Sequence, residues 1–551
     1  LTGSSAVNVI NGGAGDDTIR WADGGGNDTV DGGANSDTLE IAGVTGAANA
    51  FTIGTSGTDA TVQQAGAPAE TVTARNVERI SLTGGSTADT LTFSGSLAVT
   101  AAAVVAFAGL GGADALDGSA AGIAVELSGG AGDDTLTGGT AADTLDGGDD
   151  DDVIAGGAGG DALTGGGGTD TLDYSSDTTG VTVDIGANTV AAGDAAGDTI
   201  SGFENLVGGT GNDTLTGSSV ANTITGGAGN DIVDGGGGDD LIVAGSGTGN
   251  DTYDGGAGID TITFASTTGG VTVDLGAGTA TGTEIGSDNL SNIENVTGGS
   301  GHDSLTGSSG TNVINGNAGN DTIAGLAGAD TLNGGAGNDD LTGGAGADTI
   351  NGGDNDDTIN WADGDGSDTI NGDAGEDQVI IAGDQVGADT FTLTEDAADN
   401  LIVTQSVSGT DVLTIDTVED ITFDLGGGAD SVIVATSLAD TDIDATTIVV
   451  NGGAGDDIVN GALAAKAFNI SGGDGDDGLT GGALADTING DADNDTIAGL
   501  AGADTLNGGA NTDTLDYSTD TAGVTVDIGN NTASGGDAAG DTISNFENLN
   551  G

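Results

Sequence analysis

Three observations predict an all-β solenoid. A nine-residue phrase recurs along nearly the whole chain, and each copy carries one aliphatic residue in a fixed place. The third is composition: with 113 glycines and one proline, Pro68, no stretch has helical periodicity. The cleanest run is Gly129-Gly130-Ala131-Gly132-Asp133-Asp134-Thr135-Leu136-Thr137. It continues in phase through Asp143, Asp152, Asp161 and Asp170, with Leu145, Ile154, Leu163 and Leu172 at the aliphatic place. The Thr-aliphatic-Thr triplet reads as a short strand with its apolar side chain inward, and the glycines before it as a tight loop. Two such units on opposite faces make one coil of about 18 residues.

Taken in order, residues 1–40 form a first repeat block, followed by a β-rich insert at 41–108 that lacks the glycine phrase. A second block spans 109–170 and leads into a spacer at 171–207, whose core Val181-Thr182-Val183-Asp184-Ile185 alternates apolar and polar residues as a half-buried strand does. A third block (208–260) and a second spacer (261–297) follow, then a fourth block (298–377). The insert at 378–451 alternates again, as in Phe391-Thr392-Leu393-Thr394 and Leu413-Thr414-Ile415-Asp416. It reads either as broader coils of the same solenoid or as a small side module. A last block (452–513) ends in a third spacer at 514–551. Above the short period lies one of about 340 residues: Trp21-Ala22-Asp23-Gly24 returns as Trp361-Ala362-Asp363-Gly364, and Asp173-Tyr174-Ser175 as Asp516-Tyr517-Ser518. Leu1-Thr2-Gly3-Ser4-Ser5 is the tail of a phrase found whole at 212–219, and Phe546 to Gly551 matches what precedes a phrase at 203–208. The expectation is a portion of a longer repetitive protein.

Charge narrows the function. Eighty-eight acids face only Arg20, Arg75, Arg79 and Lys466, a formal net charge of −84. Stacked at about 4.8 Å per coil, the chain would make a rod of roughly 145 Å with one charge per about 1.7 Å, close to duplex DNA. Such a stack needs cations to fold. It disfavours nucleic acid as a partner, and an anionic membrane surface unless calcium bridges the two. There is no cysteine for disulfides or thiolate metal sites, and no apolar stretch approaches a membrane span.

The acids are in register with glycine and an aliphatic residue, which simple solubilising charge does not require. Calcium takes six to eight hard oxygen ligands at about 2.3–2.6 Å in flexible geometry. The phrase supplies backbone carbonyls from a tight glycine loop and one carboxylate, and little else; one loop is too small to surround an ion, so each site is expected between loops of successive coils. The pattern Gly-Gly-x-Gly-x-Asp-x-aliphatic-x resembles the RTX, or haemolysin-type calcium-binding, family, and the match covers well over half the chain. The resemblance implies a right-handed parallel β-roll with many Ca2+ ions between loops, and a protein exported unfolded that folds outside the cell. It also carries the ligand role onto the sixth-position aspartates. These are Asp17, Asp28, Asp37, Asp134, Asp143, Asp152, Asp161, Asp170, Asp213, Asp231, Asp240, Asp251 and Asp260 in the first half of the chain. In the second half they are Asp303, Asp321, Asp330, Asp339, Asp348, Asp357, Asp368, Asp377, Asp477, Asp486, Asp495, Asp504 and Asp513.

Departures are informative. Asn8, Asn222 and Asn312 stand where the ligand aspartate belongs, and a neutral amide should weaken those sites. Spacings of eleven, Asp17 to Asp28, Asp240 to Asp251 and Asp357 to Asp368, predict a bulge or a widened coil. Asp114, Asp430 and Asp457 adjoin the inserts, where a partner loop is in doubt. The single histidine, His302, falls in a variable loop position and reads as exposed and inert, since histidine catalysis needs partners. Trp21 and Trp361 lie in the two-residue insertions and read as cover for a widened coil, with sugar stacking as the alternative. Tyr174, Tyr253 and Tyr517 read as packing residues. Repeated acid pairs such as Asp133-Asp134 and Asp456-Asp457 mimic a glycosidase pair but lack a distinctive cleft, so no catalytic role is expected.

The resulting expectation is a secreted, calcium-binding structural protein whose stiff rods self-associate through calcium into a filament, matrix fibre or surface layer, with cell-surface or matrix polysaccharide as a further candidate partner. The alternatives are an extender region of a large secreted adhesin and the repeat portion of a secreted enzyme or toxin.

Overall fold

A computed structural model describes residues 7–22, 26–65, 70–245, 247–406, 410–439 and 447–551. The opening phrase Leu1 to Ser5, Asp23, Gly24 and Pro68 lie outside the described residues. Among those described, the chain forms β-strands and two single 3-10 turns, Gly193–Ala195 and Gly536–Ala538. No helix is long and apolar enough to cross a membrane. The chain divides into two compact units: Leu1–Thr263 with Glu284–Ile293, and Phe264–Thr283 with Glu294–Gly551.

Each unit is built from two parallel ladders on opposite faces of a thin core. In the first unit, strand Thr135–Thr137 pairs in parallel with Val153–Ala155, Thr135 opposite Val153, and the latter pairs with Thr171–Asp173. On the other face Ala124–Ala131 pairs with Thr144–Asp149, and that strand with Ala162–Gly167. The step from strand to strand is one coil, and the polypeptide crosses the core through a glycine loop twice per coil. Inward go Leu136, Leu145, Ile154, Leu163 and Leu172, all buried, so the core is one aliphatic row per ladder. The second unit repeats the scheme: Val313–Ala318, Thr331–Ala336, Thr349–Asp354 and Thr369–Ala374 form one ladder, and Thr322–Gly328, Asp340–Gly346 and Thr358–Ala362 the other. This is a parallel β-roll.

The inserts belong to the solenoid and thicken it. Ala50–Ser56, Asp59–Gln64 and Glu70–Arg75 form an antiparallel meander. Its first strand continues in parallel to Thr90–Phe93 and its last to Asp28–Ala34. In the second unit Thr390–Glu395, Leu401–Gln405 and Asp411–Asp416 do the same between Ser431–Val434 and Thr369–Ala374. These coils hold the aromatic core: Phe51 meets Phe107 edge-on at 5.8 Å, and Phe391 lies between Trp361 at 6.3 Å and Phe423 at 5.6 Å.

Of the two expectations for the eleven-residue spacings, the widened coil holds and the bulge does not. Thr18–Ala22 pairs residue for residue with Thr38–Ala42, and Thr358–Ala362 with Gln378–Ala382, because the next coil carries an equally long strand. After Asp240 the two extra residues go into the loop beyond Leu241–Val243 instead. Trp21 and Trp361 are 3% and 2% exposed, which leaves no face for a sugar. Tyr174, Tyr253 and Tyr517 are buried as well.

Candidate metal centre

The sixth-position aspartates stand in columns, one carboxylate above the next along each row of loops. The backbone N–H of Asp134 donates to Oδ1 of Asp152 at 2.8 Å, and that of Asp152 to Oδ1 of Asp170 at 2.9 Å. In the second unit the column runs Asp303, Asp321, Asp339, Asp357, Asp377 with spacings of 2.7 to 2.8 Å. Every coil is thus tied to its neighbour by a charge-assisted bond, about 1.5–3 kcal/mol for such an acceptor. The second carboxylate oxygen divides the columns into two kinds.

In the first kind Oδ2 is buried and meets no donor. This holds for Asp17, Asp37, Asp134, Asp152, Asp161, Asp170, Asp231, Asp240, Asp321, Asp330, Asp339, Asp348, Asp357, Asp368, Asp377, Asp477, Asp495, Asp504 and Asp513. Asp260 takes the N–H of Asp240 on Oδ1 at 2.8 Å in the same way. Asp114, Asp430 and Asp457, in doubt from the sequence, have the same buried Oδ2 and receive the N–H of Asp89, Asp389 and Asp430. Asp288, inside a spacer and not anticipated, behaves likewise, with Oδ1 on the Asp251 N–H at 2.9 Å.

In the second kind a donor already occupies Oδ2. Gly139, Gly209, Gly299 and Gly482 turn their N–H onto Asp143, Asp213, Asp303 and Asp486 at 2.6, 2.8, 2.7 and 2.7 Å. The Trp21 indole donates to Asp28 at 3.0 Å, and the Tyr253 hydroxyl to Asp251 at 3.0 Å. The backbone explains the split. At the second loop position Gly130, Gly148 and Gly335 have φ of 123°, 123° and 112°, which turns their N–H away. Gly139, Gly209, Gly299 and Gly482 lie outside that left-handed region. Each of these four loops is the first of its column: the Oδ1 atoms of Asp143, Asp213, Asp303 and Asp486 accept from Val125, Val181, Val271 and Phe468, which lie in strands or, for Val181, just before one, rather than in repeat loops.

The first loop glycine shapes the space beside each free oxygen. A methyl group on Gly325 would lie 2.6 Å from Asp330 Oδ2 and 2.6 Å from the carbonyl oxygen of Gly343 in the next coil. On Gly352 the distances are 2.5 Å to Asp357 Oδ2 and 2.7 Å to Gly372 O. A carboxylate oxygen and a carbonyl from the adjoining coil therefore converge on one small cradle. Among the described residues no cluster of three or more His, Cys, Asp or Glu side chains could hold an ion. The donor set is one or two carboxylates completed by backbone carbonyls, all hard oxygens, and it fits calcium and not a thiolate or imidazole metal.

Burial sets the electrostatics. It pushes the carboxyls of Asp134, Asp231, Asp330 and Asp495 up to about 6 and those of Asp152, Asp161, Asp357 and Asp477 to about 7. Neighbouring aspartates of the column add to the effect in most of them. Leaving one ionised carboxylate oxygen buried and unmatched costs about 1–3 kcal/mol or more. Nineteen of them exceed the about 5–15 kcal/mol of net stability a domain has. The ionised stack needs cations, and these oxygens are the candidates to receive them.

Three features escaped the sequence reading. The asparagines do more than weaken a site: Asn222 and Asn312 donate Nδ2 to the backbone carbonyls of Glu204 and Glu294 at 2.5 Å, where no repeat loop lies beneath them. The residue before the ligand aspartate forms an outer ladder of opposite sense, in which Asn212 accepts from Asn230 N at 2.9 Å and Asn230 from Asn250 N at 2.8 Å. His302 belongs to it, exposed, its Nδ1 accepting the Asn320 N–H at 2.6 Å. Finally, Asp198 and Asp541, inside spacers, enter the columns through Asp161 and Asp504 and take the hydroxyls of Tyr174 and Tyr517 on Oδ2 at 2.8 and 2.6 Å. The preference for Asp or Asn at the fifth position was the signal for the outer ladder.

The model of the RTX calcium-binding nonapeptide repeat (4 copies) matches residues 2–39, 128–163, 146–178, 198–219, 216–248, 246–262, 297–332, 324–359, 362–380, 449–463 and 480–515, just over half of the chain. No curated protein matches it significantly. Repeats of this kind bind calcium, and their number here implies many ions. With stacked loops, buried carboxylate columns and a family match over half its length, the chain belongs to the RTX calcium-binding nonapeptide repeat family.

Proposed function

We propose that this chain is a structural segment of a secreted protein, a β-roll that calcium locks after export and that assembles into a filament, matrix fibre or surface layer. The observation that carries the reading is the row of buried carboxylate oxygens without a donor, of which Asp152, Asp330 and Asp357 are examples. In this reading those aspartates, with Asp114, Asp288, Asp430 and Asp457, are the ligands, while Asp28, Asp143, Asp213, Asp251, Asp303 and Asp486 serve as metal-free ties. Where calcium is scarce the columns repel and the chain stays open; in millimolar calcium each ion joins two coils. The carboxylates of the repeat are thus committed to holding coils together, which supports an architectural role over a chemical one. The acids outside the columns supply the lateral contacts, through calcium shared between neighbouring copies.

Sedimentation of the chain across a calcium titration, with negative-stain imaging of each fraction, tests this. Compaction followed by chelator-reversible assembly is the expected result. Compaction to a species that stays monomeric in millimolar calcium would favour an adhesin extender and remove the self-assembly from the proposal.

A further inference from the structure

Carboxylate columns end at a recurring three-residue corner that carries no glycine loop. Four of these corners are Asn76-Val77-Glu78, Gly202-Phe203-Glu204, Thr417-Val418-Glu419 and Asn545-Phe546-Glu547. Each opens with a residue in the left-handed region, φ 44°, 70°, 51° and 56° respectively. Each continues with a buried apolar peg, Val77, Phe203, Val418 or Phe546. The glutamate then does what the next aspartate does elsewhere: Oε2 of Glu78, Glu204, Glu419 and Glu547 accepts the N–H of Asp37, Asp170, Asp377 and Asp513 at 2.8, 2.9, 2.7 and 3.0 Å. The chain is held in register by two backbone donors onto one carbonyl, Glu204 N and Asn205 N to Asp170 O at 3.0 and 2.9 Å, and likewise Glu419 N and Asp420 N to Asp377 O at 3.1 and 2.8 Å.

The corner also replaces the missing loop carbonyl. A methyl on Gly165 would meet Asp170 Oδ2 at 2.7 Å and, more closely, the carbonyl oxygen of Gly202. On Gly372 it would meet Asp377 Oδ2 at 2.7 Å together with Thr417 O, and on Gly508 Asp513 Oδ2 at 2.8 Å together with Asn545 O. So the left-handed residue points its carbonyl into the cradle that a repeat glycine fills inside the column. Asp170, Asp377 and Asp513 are wholly buried, Asp37 is 1% exposed, and Oδ2 of all four meets no donor. A donor set of carboxylate, carbonyl and a second carboxylate within one coil's reach recurs at four separate places.

We propose that Glu78, Glu204, Glu419 and Glu547 are calcium ligands that complete the last site of four carboxylate columns. The inference rests on the reading of the donor-free aspartates as ligands. Glutamate suits the place because the corner is short: with no loop to carry an aspartate up to the site, the extra methylene spans the gap.

The test is native mass spectrometry of the full chain at the lowest calcium that saturates it, counting bound ions in the wild type, in the fourfold variant Glu78→Gln, Glu204→Gln, Glu419→Gln, Glu547→Gln, and in Asp152→Asn. Glutamine keeps an oxygen for the aspartate N–H and removes the charge and the second acceptor oxygen, so a glutamate that only ties the coils loses no ion. Four fewer ions in the fourfold variant and one fewer in Asp152→Asn is the expected result. One fewer in Asp152→Asn with an unchanged fourfold variant overturns the glutamate assignment alone. No change in either overturns both it and the aspartate reading beneath it.

Discussion

The loops ending in Asp143 and Asp161 are consecutive members of one column, yet their carboxylates have different fates. Both are buried, and both hold a backbone N–H from the coil before, Val125 at 2.8 Å and Asp143 at 2.7 Å. Asp143 Oδ2 takes the Gly139 N–H, while Asp161 Oδ2 meets nothing. Beneath Asp161 lies another repeat loop; beneath Asp143 lies the plain strand Ala124–Ala131. The difference teaches that whether the phrase offers a free oxygen to an ion depends on what it is stacked upon. The first loop of such a column closes on itself by moving its second glycine out of the left-handed region; later loops leave an oxygen to be matched from outside, except where a side chain closes it, as Trp21 does for Asp28 and Tyr253 for Asp251.

The largest effect that would break this contrast is removal of calcium. Burial raises the carboxyls of Asp161, Asp152 and Asp357 to about 7 and those of Asp134 and Asp330 to about 6, from a usual value near 4. A carboxyl raised on folding contributes stability below its unfolded value and loses it as pH rises through the folded one. In chelator the strand signal in circular dichroism should therefore be present near pH 4 and vanish as pH passes from about 6 to 7. Millimolar calcium, which takes the proton's place, should keep the signal through pH 8. A chelated chain that stays folded at pH 8 would show that the columns carry their charge without metal.

A smaller effect sharpens the contrast within the column. Asp161→Asn should release one ion and with it the linkage stabilisation, about 2.7 kcal/mol at a free calcium one hundred times the dissociation constant. Asp143→Asn keeps an oxygen for Val125 but leaves the Gly139 N–H facing an amide NH2; it should release no ion and cost about 1–3 kcal/mol for the unmatched donor. Ion counts for the two variants, with urea midpoints in saturating calcium, check both numbers; equal ion losses would merge the two kinds of loop.

The cradle can be probed without touching a carboxylate. Gly325→Ala places a methyl 2.6 Å from both Asp330 Oδ2 and Gly343 O, and should cost one ion. Gly310→Ala, whose nearest neighbour would be Ser308 Oγ at 3.7 Å, should leave the count unchanged. A retained ion in Gly325→Ala would move the site away from the first loop glycine.

How much of this was legible in the residues follows from what each feature depends on. Period, inward aliphatics and the two-strand coil are local, and Leu136, Ile154 and Leu172 lie where the phrase puts them. The continuity of the inserts with the ladders was open because alternation in Phe391 to Thr394 shows a strand but not its neighbour. The split between Asp143 and Asp161 depends on what lies one coil below, a contact across 18 residues that the phrase itself does not encode. A trace of it is present all the same: closed loops carry Thr140, Thr210, Ser300 or Ala483 at the third place, but all four keep the glycine pair, so the pair alone does not separate them from Gly147 to Asp152. Glu204 carries no such signal, because it sits outside the phrase, in a spacer whose alternation shows only a strand.

The smallest effect separates the inner columns from the outer ladder. Asn230 accepts the Asn250 N–H at 2.8 Å and donates its own N–H to Asn212 at 2.9 Å, one place away from Asp231 in the sequence. Its side chain is exposed, so when it is removed the Asn250 N–H turns to water instead of being stranded in the core. Asn230→Ala should cost within about 0.5 kcal/mol and leave the ion count intact. Asp231→Asn, whose Oδ1 holds the Asp213 N–H at 2.8 Å and whose Oδ2 is buried, should lose an ion. Adjacent residues that each accept a backbone N–H from a neighbouring coil, in opposite senses, would then differ in whether their oxygen faces the core or the solvent. If Asn230→Ala also released calcium, the outer ladder would belong to the metal site, and the line drawn between tie and ligand would have to move outward by one residue.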